Sequence, residues 1–178
     1  MMDRRFALTP LGKPAWIFAL VLAVLLPLAI AVMLSMEAGA GKIDPLVALA
    51  CQALVAVVVL AIVLPLWRRE AAFDGRRLRV KATWYTRESP LADFDLDAAR
   101  AVDTREHTEL KPRLKTNGYA LPGFWAGHFR LRDRQRAFCL VTDPSKVVVL
   151  PHADGRLWLL SVEHPQAVLD ILRRARAS

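Results

Sequence analysis

Two stretches of this chain, residues 14–36 and 45–67, contain no charged side chain, and each is 23 residues long. Lys13 and Glu37 bracket the first; Asp44 and Arg68 bracket the second. As α-helices rising ~1.5 Å per residue, each would reach about 35 Å, enough to cross a hydrocarbon layer of ~30 Å with some tilt. The sequence therefore predicts an N-terminal segment (1–14), a first transmembrane helix (15–36), an external loop (37–44), a second transmembrane helix (45–67) and a domain over 68–178.

The flanks of the two runs set a topology. Arg4, Arg5 and Lys13 precede the first run and Arg68 and Arg69 follow the second, whereas the loop sets Lys42 against Glu37 and Asp44. The positive-inside bias places both termini in the cytoplasm. Trp16 and Trp67 stand at the two cytoplasmic ends, where an indole favours the headgroup level. Gly39, Gly41 and Asp44-Pro45 suit a tight reversal. Ala38-Gly39-Ala40 behind a basic start resembles a signal-cleavage site, but a signal peptide's apolar region is about 7–15 residues and this one exceeds it.

Inside the runs, Ala19 and Ala23 stand four apart, as do Ala48 and Gln52. Small residues at that spacing let helices approach closely, although alanine is also simply abundant here. Gln52 can hydrogen-bond across the pair or to a partner helix. No ionisable side chain lies within either run, which argues against a pump or channel. Pro27 is expected to kink its helix, and Pro65 lies near the exit.

The overall hydrophobic fraction of 54% averages two solvents. Residues 1–67 hold four basic and three acidic side chains, leaving 21 basic and 14 acidic beyond Trp67, so most of the net charge of +8 belongs to the domain. A basic domain beside a bilayer is drawn to anionic lipid headgroups or to an acidic membrane-protein partner. Nucleic acid is not the expected partner of an anchored chain. Cys51 sits in an apolar run and Cys139 in the domain, so no disulfide is expected.

Past the runs the hydrophobic period becomes two. Arg77–Ala82 alternates strictly, as a half-buried strand does, and Asp74-Gly75 reads as the turn joining it to Ala71–Phe73. Phe129 and Leu131 alternate with Arg130 and Arg132, and Asp133–Gln135 reads as a turn. Strands follow at Arg136–Thr142, Lys146–Leu150 and, after Asp154-Gly155, Arg156–Leu160. Such spacing predicts an antiparallel meander closing into a sandwich or barrel. Leu91, Phe94 and Leu96 look like core anchors, and Glu106–Lys115 like a charged, exposed excursion. Pro165, then Val168, Leu169, Leu172 and Ala175 on one face, predict a C-terminal helix over about 165–176 that caps the sheet structure, with Arg173, Arg174 and Arg176 at the negative end of its dipole.

Seven or so strands closed by one C-terminal helix is the plan of a pleckstrin-homology-like (PH-like) domain. The stretch Thr116–Leu131, with its Asn117-Gly118, Leu121-Pro122-Gly123 and Ala126-Gly127-His128-Phe129 steps, resembles a bacterial PH-domain family, as do Val141–Asp143 and Leu159–Ser161. The resemblance covers roughly residues 70–175. It implies an α+β membrane protein, a two-helix membrane hairpin followed by a PH-like β-sandwich, set in the bacterial inner membrane. It implies no reaction and no cofactor.

Candidate sites follow from charge and aromatic placement. Arg77, Arg79 and Lys81 put three cations on one strand face, with Arg76 beside them and Arg68 and Arg69 at the membrane exit. They form either a lipid or anion contact or an ordinary solvated strand face. Asn117-Gly118 and Pro122-Gly123 read as two turns, and Tyr119, Phe124 and Trp125 around them as exposed aromatic surface for a protein contact. The four histidines have no metal-ligand spacing, and Asp93, Asp95 and Asp97 lack the glycine and glutamate of a calcium loop. Ser89, Ser145 and Ser161 have no motif supplying a His-Asp pair. The sequence thus points to a non-enzymatic binding module or, alternatively, an accessory subunit docking through its hairpin. A membrane-bound enzyme is the third reading.

Overall fold

The apolar runs form two helical rods, and the chain around them forms a sandwich of two sheets. This is a computed structural model describing residues 4–177; Met1–Asp3 and Ser178, the ends of the predicted N-terminal segment and domain, lie outside the described residues. The chain divides into two compact units, one running from Lys13 to Trp67 and the other combining the segment up to Gly12 with everything from Arg68 onward.

In the first unit, helices α1 (Lys13–Leu20) and α2 (Leu26–Gly39) are joined by a π turn over Val21–Leu25. Pro27 has no N–H to donate and its ring crowds the carbonyl four residues back, so the preceding turn widens, and Leu26 N–H bonds to Val21 O. The expected kink takes this form. Helix α3 (Pro45–Val63) starts at Asp44, whose carboxylate accepts from Leu46 N–H at 2.7 Å, with proline in the first turn. Gln52 Nε2 donates to Pro27 O at 3.1 Å, linking the helices across the pair. Ala19 is buried and Ala48 half-buried, whereas Ala23 is exposed, which removes Ala23 from the expected helix contact. Both rods, Lys13–Glu37 and Pro45–Trp67, are candidate membrane spans. Only 6% of the most apolar stretch of each is buried within the protein, unlike a mostly buried core helix.

The second unit opens with a strand the sequence pattern did not reveal. β1 (Arg4–Phe6) pairs antiparallel with β2 (Arg69–Phe73), followed by β3 (Arg77–Ala82) and β4 (Tyr85–Pro90), in the order β1-β2-β3-β4. The second sheet holds β5 (Arg100–Val102), β6 (Pro112–Leu121), β7 (Phe124–Leu131), β8 (Arg136–Val141), β9 (Val147–Pro151) and β10 (Arg156–Ser161), ordered β5-β9-β10-β8-β7-β6. Helix α4 (Pro165–Ala177) buries Val168, Leu169 and Leu172, and its Arg173 guanidinium donates to Leu96 O and Ala99 O at 3.1 and 2.9 Å.

The meander expectation needs one correction. β10 returns beside β8 in a parallel pairing, with β9 on its far side, so the sheet is not purely antiparallel. A strand inserted there is covered on both faces, and Phe138, Leu140, Trp158 and Leu160 are all buried to 1% exposure. Alternate residues Cys139, Val141 and Leu159 join a second apolar cluster with Val147, Val149 and Phe129 on the other face. Leu91, Phe94 and Leu96 are core anchors as expected.

Residues beyond β1 staple the two sheets. Leu8 bridges Val162, Glu163 N–H donates to Ala7 O at 2.9 Å, and the Thr142 hydroxyl donates to Thr9 O at 3.0 Å. Each bond joins the N-terminal segment to the far sheet, so the fold of the domain includes residues upstream of the apolar runs.

Candidate functional site

Strand β3 presents its cations as the alternation predicts, with Leu78, Val80 and Ala82 buried beneath them. The neighbouring strands, however, supply carboxylates. Arg77 Nη1 and Arg79 Nε donate to the two oxygens of Glu88 on β4 at 3.1 and 2.7 Å. Lys81 Nζ donates to Glu70 on β2 at 2.6 Å, and Arg5 on β1 lies 3.3 Å from the same carboxylate. Hydrogen bonds from Arg79 and from Lys81 hold the Glu88 and Glu70 carboxyls below the usual carboxylate range. The face is therefore a cross-strand ion-pair lattice. Arg68 and Arg76 are exposed, while Arg69 is half-buried, with its Nη1 toward Thr9 O at 3.4 Å.

The aromatic expectation also changes. Asn117-Gly118 is not a turn but the middle of β6, where Gly118 faces Gly127 across the β6–β7 pair. A Cβ on Gly127 would stand 2.7 Å from Asn117 O, and its φ of +109° favours glycine as well. Pro122-Gly123 is the turn, with Gly123 at φ +75°. Phe124 is fully buried because it begins β7 facing the core, and Trp125 packs partly buried against the Cys139 cluster. Tyr119 is half-buried, and its hydroxyl accepts from Trp84 Nε1 at 2.7 Å. Trp84, 59% exposed in the β3–β4 turn, is the exposed aromatic that the sequence reading missed. The preceding Thr83 has φ +60° and donates its N–H to Arg68 O at 3.0 Å, so this turn is bonded to the first residue beyond the second candidate span.

A second basic surface lies on the six-stranded sheet. Arg130 on β7 is registered opposite Arg136 on β8, and Arg136 opposite Arg156 on β10. Residues in register share a face, so three guanidinium groups form one row. Two residues along the same strands, His128, Phe138 and Trp158 form a parallel aromatic row, with ring centroids 5.2 and 5.3 Å apart. A cleft of about 280 Å³ is lined by His128 and the three arginines, together with Thr116. From the opposite sheet Tyr85 meets His128 edge-on at 6.0 Å. Burial and the nearby charges of Arg87 and Arg156 hold the His128 imidazole below its ordinary pKa. The hairpin turn at Asp133–Gln135 was legible, and counting back from it would have set Arg130 against Arg136.

A further polar cluster ties β4 to the turn after β9. Ser89 Oγ lies 2.7 Å from His152 Nε2, and Asp154 Oδ1 lies 2.9 Å from Nδ1, a set no sequence motif revealed. Asp154 N–H also lies 3.1 Å from Nδ1, and Ser89 donates onward to Asp93 at 3.1 Å. Asp95 turns back on the N–H groups of Asp97 and Ala98 at 3.1 Å. Among the described residues no group of three His, Cys, Asp or Glu side chains could hold a metal. Cys51 and Cys139 are both free, and burial pushes the Cys139 thiol far up.

Two apolar helices, a two-sheet sandwich and a closing C-terminal helix define a PH-like domain carried with a pair of candidate membrane spans. The chain matches the Bacterial PH domain family over residues 70–176 and belongs to that family. Comparison with curated proteins and with solved structures gives no match.

Proposed function

We propose that this chain is a membrane-anchored, non-enzymatic binding module. The two helices fix it in the bacterial inner membrane with both termini cytoplasmic, and its basic PH-like domain meets a membrane-protein partner or anionic lipid at that surface. The observation that supports this most is the pairing of β1 with β2. These strands lie on opposite sides of the apolar segment in sequence yet belong to one sheet, so the helical pair must leave and re-enter on the same side of a bilayer. The basic flanks then favour the cytoplasmic side. Trp84 adds support: an exposed indole bonded through Thr83 to the span exit is suited to the headgroup layer.

Reporter fusions after Ala40 and at the C-terminus test the arrangement. The reading expects periplasmic activity from the first and cytoplasmic activity from the second; periplasmic activity at the C-terminus would overturn it. Cross-linking in intact membranes then identifies the partner. For the rival reading, a subunit docking through its hairpin, Gln52 donates one of its two amide N–H groups inside the pair, and its buried Oε1 has no partner among the described residues.

A further inference from the structure

We propose that the row Arg130–Arg136–Arg156 is the binding site for a phosphate-bearing anion held in the cleft beneath it. This rests on the reading of the domain as a binding module but uses a surface separate from the β3 face.

Like charges placed directly opposite one another in a sheet repel, and here the repulsion is stacked across three adjacent strands. On β3 the same problem is relieved by Glu70 and Glu88. In the cleft the relief is missing. Among the described residues the guanidinium groups of Arg130 and Arg136 have no ion-pair or hydrogen-bond partner, and that of Arg156 has one long contact, 3.5 Å to Asp154. The row is concave and bounded, with the charge of Arg87 near enough from the opposite sheet to act on His128. The apolar part of its lining, Phe129 and Ala137, lowers the local dielectric and strengthens the field of such charges.

The donor set selects the ligand. A guanidinium offers only N–H groups in a planar fork, so an occupant must be rich in acceptors. One carboxylate is saturated by a single fork, whereas a tetrahedral phosphate has oxygens for several. Thr116 spends its hydroxyl on His128 O at 2.9 Å, and the neutral His128 ring can take a proton or donate one to a phosphate oxygen. Arg113, Arg132 and Arg134 line a neighbouring groove that shares Arg130, so a second phosphate should bind more tightly than one. The phosphate can be soluble or part of a lipid headgroup, and the cleft recognises the same chemistry in both.

The test uses the full chain in neutral detergent micelles, titrated with inorganic pyrophosphate, dihexanoyl phosphatidic acid and dihexanoyl phosphatidylcholine, with thermal shift and calorimetry as readouts. Binding of pyrophosphate assigns a soluble source, and binding of phosphatidic acid alone a lipid source; phosphatidylcholine should not bind. Arg136→Gln should weaken binding at least tenfold, while Arg79→Gln on the β3 face should leave it unchanged. Without ligand, Arg136→Gln should melt at or above the wild-type temperature, because it relieves the row. No binding of either anion, equal binding by Arg136→Gln, or a lower melting temperature for that variant would each overturn the site. None of these outcomes bears on membrane topology, which the reporter fusions decide separately.

Discussion

On the outer face of the four-stranded sheet, Arg79 has Glu88 as its cross-strand neighbour; on the six-stranded sheet, Arg136 has Arg130 on one side and Arg156 on the other. The two arginines look alike in isolation, since each is exposed and followed by a buried apolar residue. What differs is the strand alongside. A cation beside a carboxylate is a lattice component, and its charge is largely spent before any ligand arrives. A cation beside two cations is an unmet electrostatic demand. Charge along one strand therefore says little about binding, and charge across the register says much.

The largest effect should come from breaking the register itself. Gly127→Ala would set a Cβ 2.7 Å from two backbone atoms at a φ of +109°, and no flexible side chain can yield there. A loss of roughly 2–4 kcal/mol is expected, read as a fall in melting temperature of roughly 10 °C or more. Gly123→Ala, with φ +75° but open space around it, should cost only about 1–2 kcal/mol. Equal losses for the two would mean that the β6–β7 approach does not hold His128 and Arg130 in place.

Next comes a change that makes the first surface resemble the second. Glu88→Gln leaves Arg77 and Arg79 without the carboxylate that accepts from both. Binding of the micelle-held chain to dihexanoyl phosphatidylglycerol should then rise about fivefold at low salt, the worth of one unit of charge near an anionic surface, and the gain should fade as salt increases. An unchanged affinity would show that the lattice was not masking these cations.

Acid should separate the two surfaces by pH. His128 has a lowered folded pKa, so the unfolded chain takes its proton first; stability is whole above the ordinary imidazole value of ~6.5 and falls as pH drops below it. The groups facing it are the charges of Arg87 and Arg156 and the rings of Tyr85 and Phe138. Glu70 and Glu88 shift the other way: their folded pKa values are depressed, so their contribution is present above ~4.3 and is lost only as pH falls through the folded values. A melting-temperature profile should thus bend twice, and His128→Gln should remove only the upper bend.

How far the sequence reached follows the same logic. The apolar runs, the Asp74-Gly75, Pro122-Gly123 and Asp154-Gly155 turns, the Arg77–Ala82 alternation and the C-terminal helix were legible because each is a local pattern. β1 was not, since Arg4-Arg5-Phe6 has no periodicity and becomes a strand only because β2 offers an edge 60-odd residues away in sequence. Asn117-Gly118 carries a strong local turn signal, yet its glycine serves the close approach to Gly127. Phe124 read as exposed because it follows a turn, and it is buried because the first residue of β7 faces inward. The arginine row was half legible: the turn was visible, but the parallel return of β10 that adds Arg156 was not.

The smallest effect should come from the residues that first drew attention. Arg77→Gln removes one partner of Glu88 while Arg79 keeps the shorter bond, at 2.7 Å against 3.1 Å. Arg77 and Arg79 are both more than half exposed, so solvent screens the pairs and competes for every donor. The melting temperature should move by no more than about 2 °C. Phosphate binding should not move at all, because the cleft draws on neither residue. A shift of several degrees would mean that the lattice on β3 acts as one cooperative network. In that case the contrast between a neutralised face and an unmet one would rest on structure as well as on charge.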